Sequence, residues 1–404
     1  MARLWFGNFD FETHLAGGGG PSSTSIRRLA AELAMVWCAV AREGDLVWSD
    51  APVESDFLEE LVRQGLPRLT VVSDPAEITE SVELEPWGWC GGLPRHRSIR
   101  SRHPPHDAVK RVNAREYSFT LETEFDGGLD DAARIERLDE LRAVVRPLDG
   151  TQRWVVKAQY SNAARERCPG CGNVLEEHVI NWCRKRLQRD GLVFFEPWVE
   201  RVAEVGLQFD VPREGKPRIL GVVPLLTDAA GQYVGSRIEV EGAIEETFRE
   251  EAWASAIDIG ADVARHVQDA GYFGPLGIDA MRYCDDDGVE RVRAIQDVNA
   301  RWTMGRIALG FRRILRAGER AVWLHVRWNT PNPESWFRGV EELLPLGMRM
   351  IRTSPAELGG TPVEHGTVLF VSRNEADLAE VERLADPSRA QHPSTRQRPS
   401  GRRE

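Results

Sequence analysis

Short apolar runs alternate with stretches of helical periodicity over the first hundred residues. Three of these runs predict strands, at residues 4–6, 45–48 and 69–72. After the first run, Ser22 or Ser23 is placed to cap a long helix that continues to about residue 41. A second helix is predicted over residues 54–64. This strand–helix–strand–helix–strand order predicts a small domain with a parallel sheet.

A polar, proline-containing stretch at residues 90–107 leads into a longer region with no internal repeat. Alternation and apolar runs predict strands at 117–122, 154–158, 192–195, 205–211, 219–225, 276–283, 291–299, 322–327 and 368–372. Helical spacing predicts helices at 132–145, 173–189, 248–270, 306–317 and 376–384. Asn173 is expected to cap one of these helices and Gly191 to end it. The Asp287-Gly288 pair predicts a hairpin turn between the strands at 276–283 and 291–299.

Composition narrows the class of protein. The chain has 404 residues, 42% of them apolar, and a formal net charge of -11, which excludes a largely disordered or fibrous protein. The acidic balance argues against broad nucleic-acid binding. No apolar run approaches the roughly 18 residues of a membrane helix, so we expect no membrane partner. Six cysteines spread along the chain predict reduced thiols and a cytoplasmic location.

Lysine is rare in this sequence, which draws attention to one position. Four of the 52 basic residues are lysines, and Lys157 lies at the end of an apolar strand. Such a side chain either extends to the surface or places a point charge beside a phosphate. Ser161 belongs to the small, polar and cationic segment that follows, at residues 160–167, and this segment is a candidate for covering phosphates.

A second candidate site lies on the predicted hairpin. Asp297, Asn299 and Arg301 alternate along one strand and so project to one side, and Asp279 lies on the partner strand. Carboxylate and amide oxygens suit Mg²⁺, and a guanidinium suits phosphate. The alternative is a solvated sheet face. The metal hypothesis requires Asp279 to face Asp297, which needs an odd-length hairpin loop or a bulge, because a two-residue turn places Asp279 opposite Gln296.

A third candidate is the segment that follows the strand at 192–195. Glu196, Pro197, Trp198 and Val199 form an extended hinge whose backbone groups could contact an adenine edge, and Glu204 could accept a ribose hydroxyl. Taken alone, an ordinary strand connection is the better interpretation of this segment.

Taken in order, these segments resemble the ATP-grasp superfamily, which includes D-alanine–D-alanine ligase and biotin carboxylase. The resemblance covers residues 110–310 and is carried by a strand lysine, a loop, a Glu-Pro-Trp-Val hinge, a Gly-Ile-Asp strand and an Asp-Val-Asn-Ala-Arg strand. The segment at 299–305 also resembles the N-x-R-x-T-M-G ending of bacterial ATP-grasp proteins with an EPW hinge.

The resemblance implies an α/β fold in several parts. We expect a pre-ATP-grasp α/β domain at 1–107 and a two-lobed ATP-grasp core with antiparallel sheets at 108–330. A small C-terminal α/β extension at 331–385 and a disordered tail at 386–404 complete the predicted organisation.

The resemblance also implies roles for individual residues. ATP is the implied cofactor, bound by Arg115, Lys157, Ser161, Glu196, Trp198, Val199 and Glu204, with Lys110 as the rival to Arg115. One or two Mg²⁺ ions, with Mn²⁺ as a substitute, are implied at Asp279, Asp297 and Asn299. Lys157 and Arg301 are the implied catalytic residues, with Arg301 steadying the transferred phosphate or an acyl phosphate.

The implied activity is an ATP-dependent ligase that joins a small-molecule carboxylate to an amine or other nucleophile through an acyl phosphate. An ATP-grasp kinase and a nucleotide-binding module without turnover are the alternatives. Two departures favour the last of these: Asp297 replaces the family's usual glutamate, and the loop at 161–172 is poor in glycine. The oligomeric state is left open.

Two weaker motifs remain. Cys168, Cys171, His178 and Cys183 have the elements of a zinc site, although a plain loop is the better interpretation, and a zinc-dependent interaction protein is a third hypothesis. The glycine run at 17–20 predicts either a loop facing a substrate or a simple linker. His325 is expected to be a core or edge histidine rather than a catalyst.

Overall fold

The structure is a computed structural model, and it describes residues 1–18, 20, 22–161, 166–228, 230–239, 251–328 and 332–385. The predicted tail at 386–404 and the first residues of the helix predicted at 248–270 lie outside the described residues, as do residues 162–165 of the loop predicted to cover phosphates.

The N-terminal sheet is parallel, as its strand and helix order predicted. Its five strands are β1 (Arg3–Phe6), β2 (Leu46–Trp48), β3 (Thr70–Val72), β4 (Val82–Pro86) and β5 (Ile99–Arg100). They are arranged β3-β2-β1-β4-β5, and each neighbouring pair is parallel. Helices α1 (Phe11–Leu15), α2 (Thr24–Glu32) and α3 (Ser55–Arg63) connect strands of this sheet, with short 3₁₀ segments at Ala34–Ala39 and Pro75–Glu77.

The single long helix predicted after Ser23 is wrong in its second half. The Ser23 hydroxyl accepts from the Ile26 amide and caps α2, as predicted, but α2 ends at Glu32. The 3₁₀ segment Ala34–Ala39 follows, and all six of its residues are buried. A segment that is apolar on every side packs into the core instead of continuing as an amphipathic surface helix.

A four-stranded antiparallel sheet forms the next part of the chain. It contains β6 (Ala133–Ile135), β7 (Arg153–Ala158), β8 (Arg167–Cys171) and β9 (Val193–Pro197), in the order β6-β9-β7-β8. Helices α6 (Leu138–Val145) and α7 (Glu177–Asp190) pack beside this sheet, after α4 (His106–Val112) and α5 (Arg115–Glu124). Helix α7 ends at Gly191, which has the left-handed φ of 81° that favours glycine.

An eight-stranded antiparallel sheet carries the rest of the chain. Its strands are β10 (Glu200–Val211), β11 (Arg218–Thr227), β12 (Tyr233–Glu239), β13 (Gly274–Cys284), β14 (Glu290–Asn299), β15 (Arg320–Arg327), β16 (Arg349–Arg352) and β19 (His365–Ser372). Their order is β14-β13-β10-β11-β12-β15-β19-β16. Strands β17 (Glu357–Leu358) and β18 (Thr361–Pro362) form a separate pair. The accompanying helices are α8 (Glu251–Asp269), α9 (Met304–Gly310), α10 (Pro333–Glu341) and α11 (Glu375–Ala385), with a 3₁₀ segment at Phe311–Ile314.

The strand predicted at 117–122 is wrong, because these residues lie in the middle of helix α5. Six residues that alternate in polarity also fit part of a helix, and the buried positions decide between the two. Arg115, Ser118 and Glu122 are buried with Leu121, at the three- and four-residue spacing of one helix face. The face is polar because it faces the site described below.

Three other predicted boundaries differ from the structure. The helix predicted at 132–145 begins only at Leu138, since β6 occupies Ala133–Ile135 and pairs with β9. Helix α7 is preceded by Glu176 at its N-cap, so Asn173 does not cap it. The helix predicted at 306–317 begins at Met304 and divides into α9 and a 3₁₀ turn.

Tryptophans join the N-terminal sheet to the eight-stranded sheet. Trp302, which follows β14, packs edge-on against Trp5 of β1 at 5.2 Å and against Trp37 at 5.6 Å between ring centroids. Its backbone amide donates to the Trp87 carbonyl at 3.0 Å. Both sheets therefore share one continuous core. Within the described part of the chain, no helix is long and apolar enough to cross a membrane.

Candidate nucleotide and metal site

The hairpin of β13 and β14 has the register that a metal site requires. Asp279 lies directly opposite Asp297, so the two carboxylates share one face of the sheet. The connecting loop has an odd length, five residues at 285–289, and a bulge shifts the register between Asp279 and Met281. The metal hypothesis required an odd-length hairpin loop or a bulge, and the structure has both.

Asn299 and Arg301 continue this row of polar groups. The Asn299 amide nitrogen donates to Asp279 at 3.1 Å, and its oxygen accepts from the Arg301 guanidinium at 2.8 Å. Burial and the neighbouring Asp297 raise the pKa of the Asp279 carboxyl to about 7, although Arg301 acts in the opposite direction. Two carboxylates that share one sheet face, and whose repulsion helps to raise the pKa of one of them, can bind a cation.

The donor set fits Mg²⁺. The two carboxylates face each other across one strand pair, and Asn299 adds an amide beside them, so the groups are the oxygen ligands that a hard cation takes. The raised pKa of Asp279 reflects in part the repulsion between the two carboxylates, and a bound divalent ion would offset that repulsion.

Arg115 connects this row to the four-stranded sheet. Its guanidinium, on the buried face of α5, lies 3.3 Å from the Asp297 carboxylate and donates to the Ser161 hydroxyl at 2.9 Å. It also donates to the carbonyl of Ala158 at the end of β7, at 3.3 Å. Lys110, the rival candidate, is exposed on α4. The structure thus brings Arg115, rather than Lys110, to the carboxylates.

Lys157 ends in a buried network of charges. Its ammonium group lies 2.6 Å from the Glu196 carboxylate, which also accepts from Arg293 at 2.9 Å. Arg293 in turn donates to both oxygens of Glu122 of α5, through Nε and Nη2. Burial lowers the pKa of Lys157, and Glu196 limits this effect. Burial also acts on the Glu196 carboxyl, but Arg293 and Lys157 outweigh it and lower its pKa.

The segment after β9 forms one wall of a cavity of about 810 Å³, lined by Trp198, Val199 and Glu204 together with β11 residues. The Trp198 ring is approached by three guanidinium groups, those of Arg153, Arg167 and Arg201, at 4.5, 5.9 and 5.6 Å. Glu204 accepts from Thr227 at 2.7 Å and from Gln296 at 3.2 Å. The cavity therefore combines apolar side chains, guanidinium groups and a fixed carboxylate.

Three charged residues of the site are not among those predicted from the sequence. Arg293 and Glu122 complete the network around Lys157, and Glu12 pairs with Arg301 at 2.6 Å. Arg293 lies between apolar residues of β14, so its position in the sequence indicates a buried charge, as the position of Lys157 does. Glu122 lies in the segment for which the sequence pattern predicts a strand, and a strand does not indicate the direction that its side chain takes on α5. Nothing near Glu12 in the sequence indicates a contact 289 residues away.

The four candidate zinc ligands do not lie together in the structure. Cys168 and Cys183 are buried in the core of the four-stranded sheet, whereas Cys171 and His178 are exposed. Among the described residues, no three His, Cys, Asp or Glu side chains are arranged to hold a metal ion. His325 is half-buried on β15, and burial lowers its pKa to about 3. Its ring packs against Trp323 and Tyr233, which agrees with the core or edge histidine predicted from the sequence.

Solved structures with a similar fold were found for almost the whole chain. Biotin carboxylase from Campylobacter jejuni, in a β,γ-ATP complex, superposes with a TM-score of 0.55 at 10% identity, covering 95% of this chain and 91% of that one. An N5-carboxyaminoimidazole synthetase from Staphylococcus aureus gives 0.53 at 8%, covering 95% and 97%. An ADP complex of N5-carboxyaminoimidazole ribonucleotide synthetase gives 0.52 at 11%, covering 95% and 96%. No family model and no curated protein matches the sequence.

These neighbours are ATP-grasp proteins, so the chain has the ATP-grasp fold. More particularly, it has the arrangement of biotin carboxylase and N5-carboxyaminoimidazole ribonucleotide synthetase, in which an N-terminal domain precedes the ATP-grasp core. The fold expected from the sequence is confirmed.

Proposed function

We propose that the protein is an ATP- and Mg²⁺-dependent ligase that joins a carboxylate to an amine or other nucleophile through an acyl phosphate. The observation that carries the proposal is the pairing of Asp279 with Asp297 on one sheet face, with Arg115 joining that face to the strand that bears Lys157. In the proposal, these two carboxylates and two cations surround one nucleotide, since such a set suits a metal-bound polyphosphate.

Different residues would contact the phosphates, the adenine and the ribose of the nucleotide. Lys157 of β7, Arg115 of α5 and Ser161, which follows β7, would contact the phosphates. The backbone at Val199 and the Trp198 side chain would hold the adenine, and Glu204 a ribose hydroxyl. Glu196 would meet the adenine through its backbone, because its side chain is occupied by Lys157 and Arg293. By fixing the ammonium group, Glu196 would orient Lys157 before the nucleotide binds.

Asp279, Asp297 and Asn299 would hold one or two Mg²⁺ ions, with Mn²⁺ as a substitute. When bound, the ions would neutralise charge on the phosphates and act as Lewis acids. Arg301 lies beside Asn299 and would steady the transferred phosphate, so positioning and charge neutralisation would supply most of the catalysis.

Residues 1–107 would act as the pre-ATP-grasp domain, 108–330 as the core and 331–385 as a C-terminal extension. The small-molecule acid and nucleophile would enter between the first two. The six cysteines form no disulfide, which supports a cytoplasmic location.

The sharpest test of the metal site is Asp297→Asn. We expect wild-type protein to bind ADP more tightly with Mg²⁺ than without it, in isothermal titration calorimetry. In Asp297→Asn the Mg²⁺-dependent gain should disappear while Mg²⁺-free ADP binding persists, because charge is lost at the phosphates and the base contacts remain. Asp287→Asn, on the exposed loop of the same hairpin, is the matched control and should behave like wild type.

A nucleotide-binding module without turnover is the second candidate. Asp297 has a shorter side chain than the glutamate that is usual at this metal-ligand position, and it is already paired with Arg115. Release of ADP by wild type with a panel of carboxylates and amines would favour the ligase, and release without an amine would favour a kinase. If neither occurs but Asp297→Glu turns over ATP, the natural protein is the non-catalytic form. Wild-type protein that is folded yet binds no MgADP would contradict all three.

A further inference from the structure

A second cavity, of about 800 Å³, lies between the N-terminal sheet and the eight-stranded sheet. Strand β4 and the segment after β5 line one side of it, and the end of β10 and the beginning of β13 line the other. It shares no lining residue with the cavity beside Trp198. Pro275, which lines it, is four residues from Asp279 on β13, about 13 Å along the strand. The cavity is therefore distinct from the proposed nucleotide and metal sites.

The side chains that line this cavity carry an excess of positive charge. Two of its three acids are paired: Glu85 lies 3.6 Å from Arg3, and Asp210 lies 2.8 Å from Arg218, which is outside the cavity. With His103 counted as neutral, four charged lining residues remain that form no ion pair within the described part of the chain: Arg102, Arg213, Arg306 and Glu83. Three positive charges against one negative charge leave an excess of two.

Two neighbouring donors in the cavity, on Trp302 and Arg306, lack acceptors. Trp302 is 7% exposed, and its indole N–H has no hydrogen-bond partner among the described residues. The Arg306 guanidinium lies 5.5 Å from the centroid of that ring, and it makes a long contact of 3.5 Å with the Phe209 carbonyl. Burial lowers the pKa of Arg306 to about 10, although Asp210 opposes this effect. Buried donors without acceptors are costly, so this pair indicates a missing acceptor.

Glu85 is the acceptor that the protein itself could offer to the indole. Burial raises the pKa of the Glu85 carboxyl and the Trp302 indole opposes this rise, so the two groups are near each other, but they do not have hydrogen-bond geometry. The Glu85 carboxylate lies beside Arg3 instead. A ligand with its own oxygen acceptors would serve both the indole and Arg306 while Glu85 stays paired with Arg3.

Charge and size together favour a phosphorylated organic molecule as the occupant. A phosphate monoester carries about two negative charges at pH 7, which matches the excess, and its oxygens suit guanidinium groups. The volume is that of a small-molecule site and leaves room beyond a phosphate group. Trp89 and Phe273 line that room with aromatic surface.

We propose that this cavity is a second ligand site, which binds a small phosphate monoester with an aromatic group. Its phosphate would accept from Trp302 Nε1 and from Arg306, and its ring would pack beside Trp89 and Phe273. The site goes beyond the proposed ligase activity, because it requires neither the nucleotide nor the metal. A ligand held there would contact both the N-terminal domain and the core, since the lining residues come from both.

Calorimetric titration of the full-length protein with phenyl phosphate tests the proposal. Phenol and inorganic phosphate, which carry the two parts of this molecule separately, are the ligand controls. We expect wild type to bind phenyl phosphate, to bind inorganic phosphate more weakly and not to bind phenol. Arg306→Gln and Trp302→Phe should each weaken phenyl phosphate binding about tenfold or more, the scale of a lost hydrogen bond to a charged group. Arg316→Gln, at an exposed position outside the cavity, is the matched control and should not change it.

Lys157→Met distinguishes this cavity from the proposed nucleotide site, because phenyl phosphate could also bind where the nucleotide phosphates would. We expect that variant to bind phenyl phosphate as wild type does. Binding that Lys157→Met weakens and Arg306→Gln does not, or wild type that binds no phenyl phosphate, would overturn the second site. Neither result would affect the proposed function, which the Mg²⁺ dependence of ADP binding tests separately. If Arg306→Gln does not fold, Trp302→Phe decides, since it removes the N–H donor and keeps a ring in the core.

Discussion

At the scale of single residues, Lys157 shows how a buried charge is kept in place. An ammonium group in a mostly buried position is unfavourable unless an opposite charge lies beside it. Glu196 supplies that charge, but Glu196 is itself shared with Arg293, which also holds Glu122. Lys157 is therefore an outer member of the network, whereas Arg293 joins two acids that lie on different elements.

Lys157→Met and Arg293→Met should separate binding from stability. Without Lys157, Glu196 keeps Arg293 as a partner, so we expect a small loss of stability and about a tenfold or larger loss of nucleotide affinity. Without Arg293, Glu122 is buried with no cation, and we expect a loss of about 3–5 kcal/mol in the free energy of unfolding. Urea unfolding and calorimetric titration with MgADP measure the two effects.

The comparison between these variants is its own control, because both remove one buried positive charge and leave a methionine. If Lys157→Met lost as much stability as Arg293→Met while keeping its nucleotide affinity, Lys157 would be a structural residue and not a phosphate ligand.

At the scale of elements, the β13–β14 hairpin places two like charges together, which lowers the stability of the nucleotide-free protein. The pKa of Asp279 is about 7 in the folded chain and near 3.8 in the unfolded one, so the folded state holds this proton more tightly. Between those pH values the folded state binds more protons, and this group makes stability fall as pH rises. The cost is greatest above about pH 7, where Asp279 must be ionised.

Asp279→Asn should therefore stabilise the nucleotide-free protein at alkaline pH, because it removes the buried charge. In EDTA, we expect its melting temperature to exceed that of wild type at pH 8, and the difference to shrink as pH falls toward 5. Differential scanning calorimetry over this range measures it. Asp285→Asn, on the hairpin loop, is a control for a carboxylate with the opposite behaviour, since Arg291 lowers the pKa of Asp285. A difference for Asp279→Asn that grew at low pH would refute this account of the hairpin.

At the scale of the whole molecule, the N-terminal domain and the core behave as one packing unit. Trp302 belongs to the core in sequence, yet it is 7% exposed because Trp5 and Trp37 cover it. The Glu12–Arg301 pair and the amide bond to Trp87 reinforce the same boundary. The proposed metal site therefore lies beside an interface whose two sides are held together by apolar contacts and by the Glu12–Arg301 pair.

We expect wild-type protein to unfold in a single thermal transition, and Trp302→Ala to lose about 3–5 kcal/mol of stability, because it opens a cavity between the domains. Trp302→Phe retains a ring and should lose less. Calorimetry of the three proteins measures both the midpoint and the number of transitions. Two separate transitions in the wild type would show that the N-terminal domain folds independently of the core.

The local sequence pattern alone determines much of the secondary structure of this protein. The parallel N-terminal sheet, the antiparallel pairs, the hairpin and the glycine that ends α7 follow from periodicity and turn residues, which act over a few positions. The row of Asp297, Asn299 and Arg301 followed from strand alternation, and the order of the motifs indicated the ATP-grasp fold. Apart from the order of the motifs, each of these features depends on residues close together in the chain.

The tertiary structure decided what depends on distant partners. Residues 117–122 form a helix because their polar face lies against β14, and no pattern within six residues distinguishes that from a strand. The bulge that brings Asp279 opposite Asp297 depends on the packing of both strands. Arg293 and Glu12 became site residues only when folding brought them to partners about a hundred or more positions away, because a charge finds its counter-charge in space and the sequence records only its position along the chain.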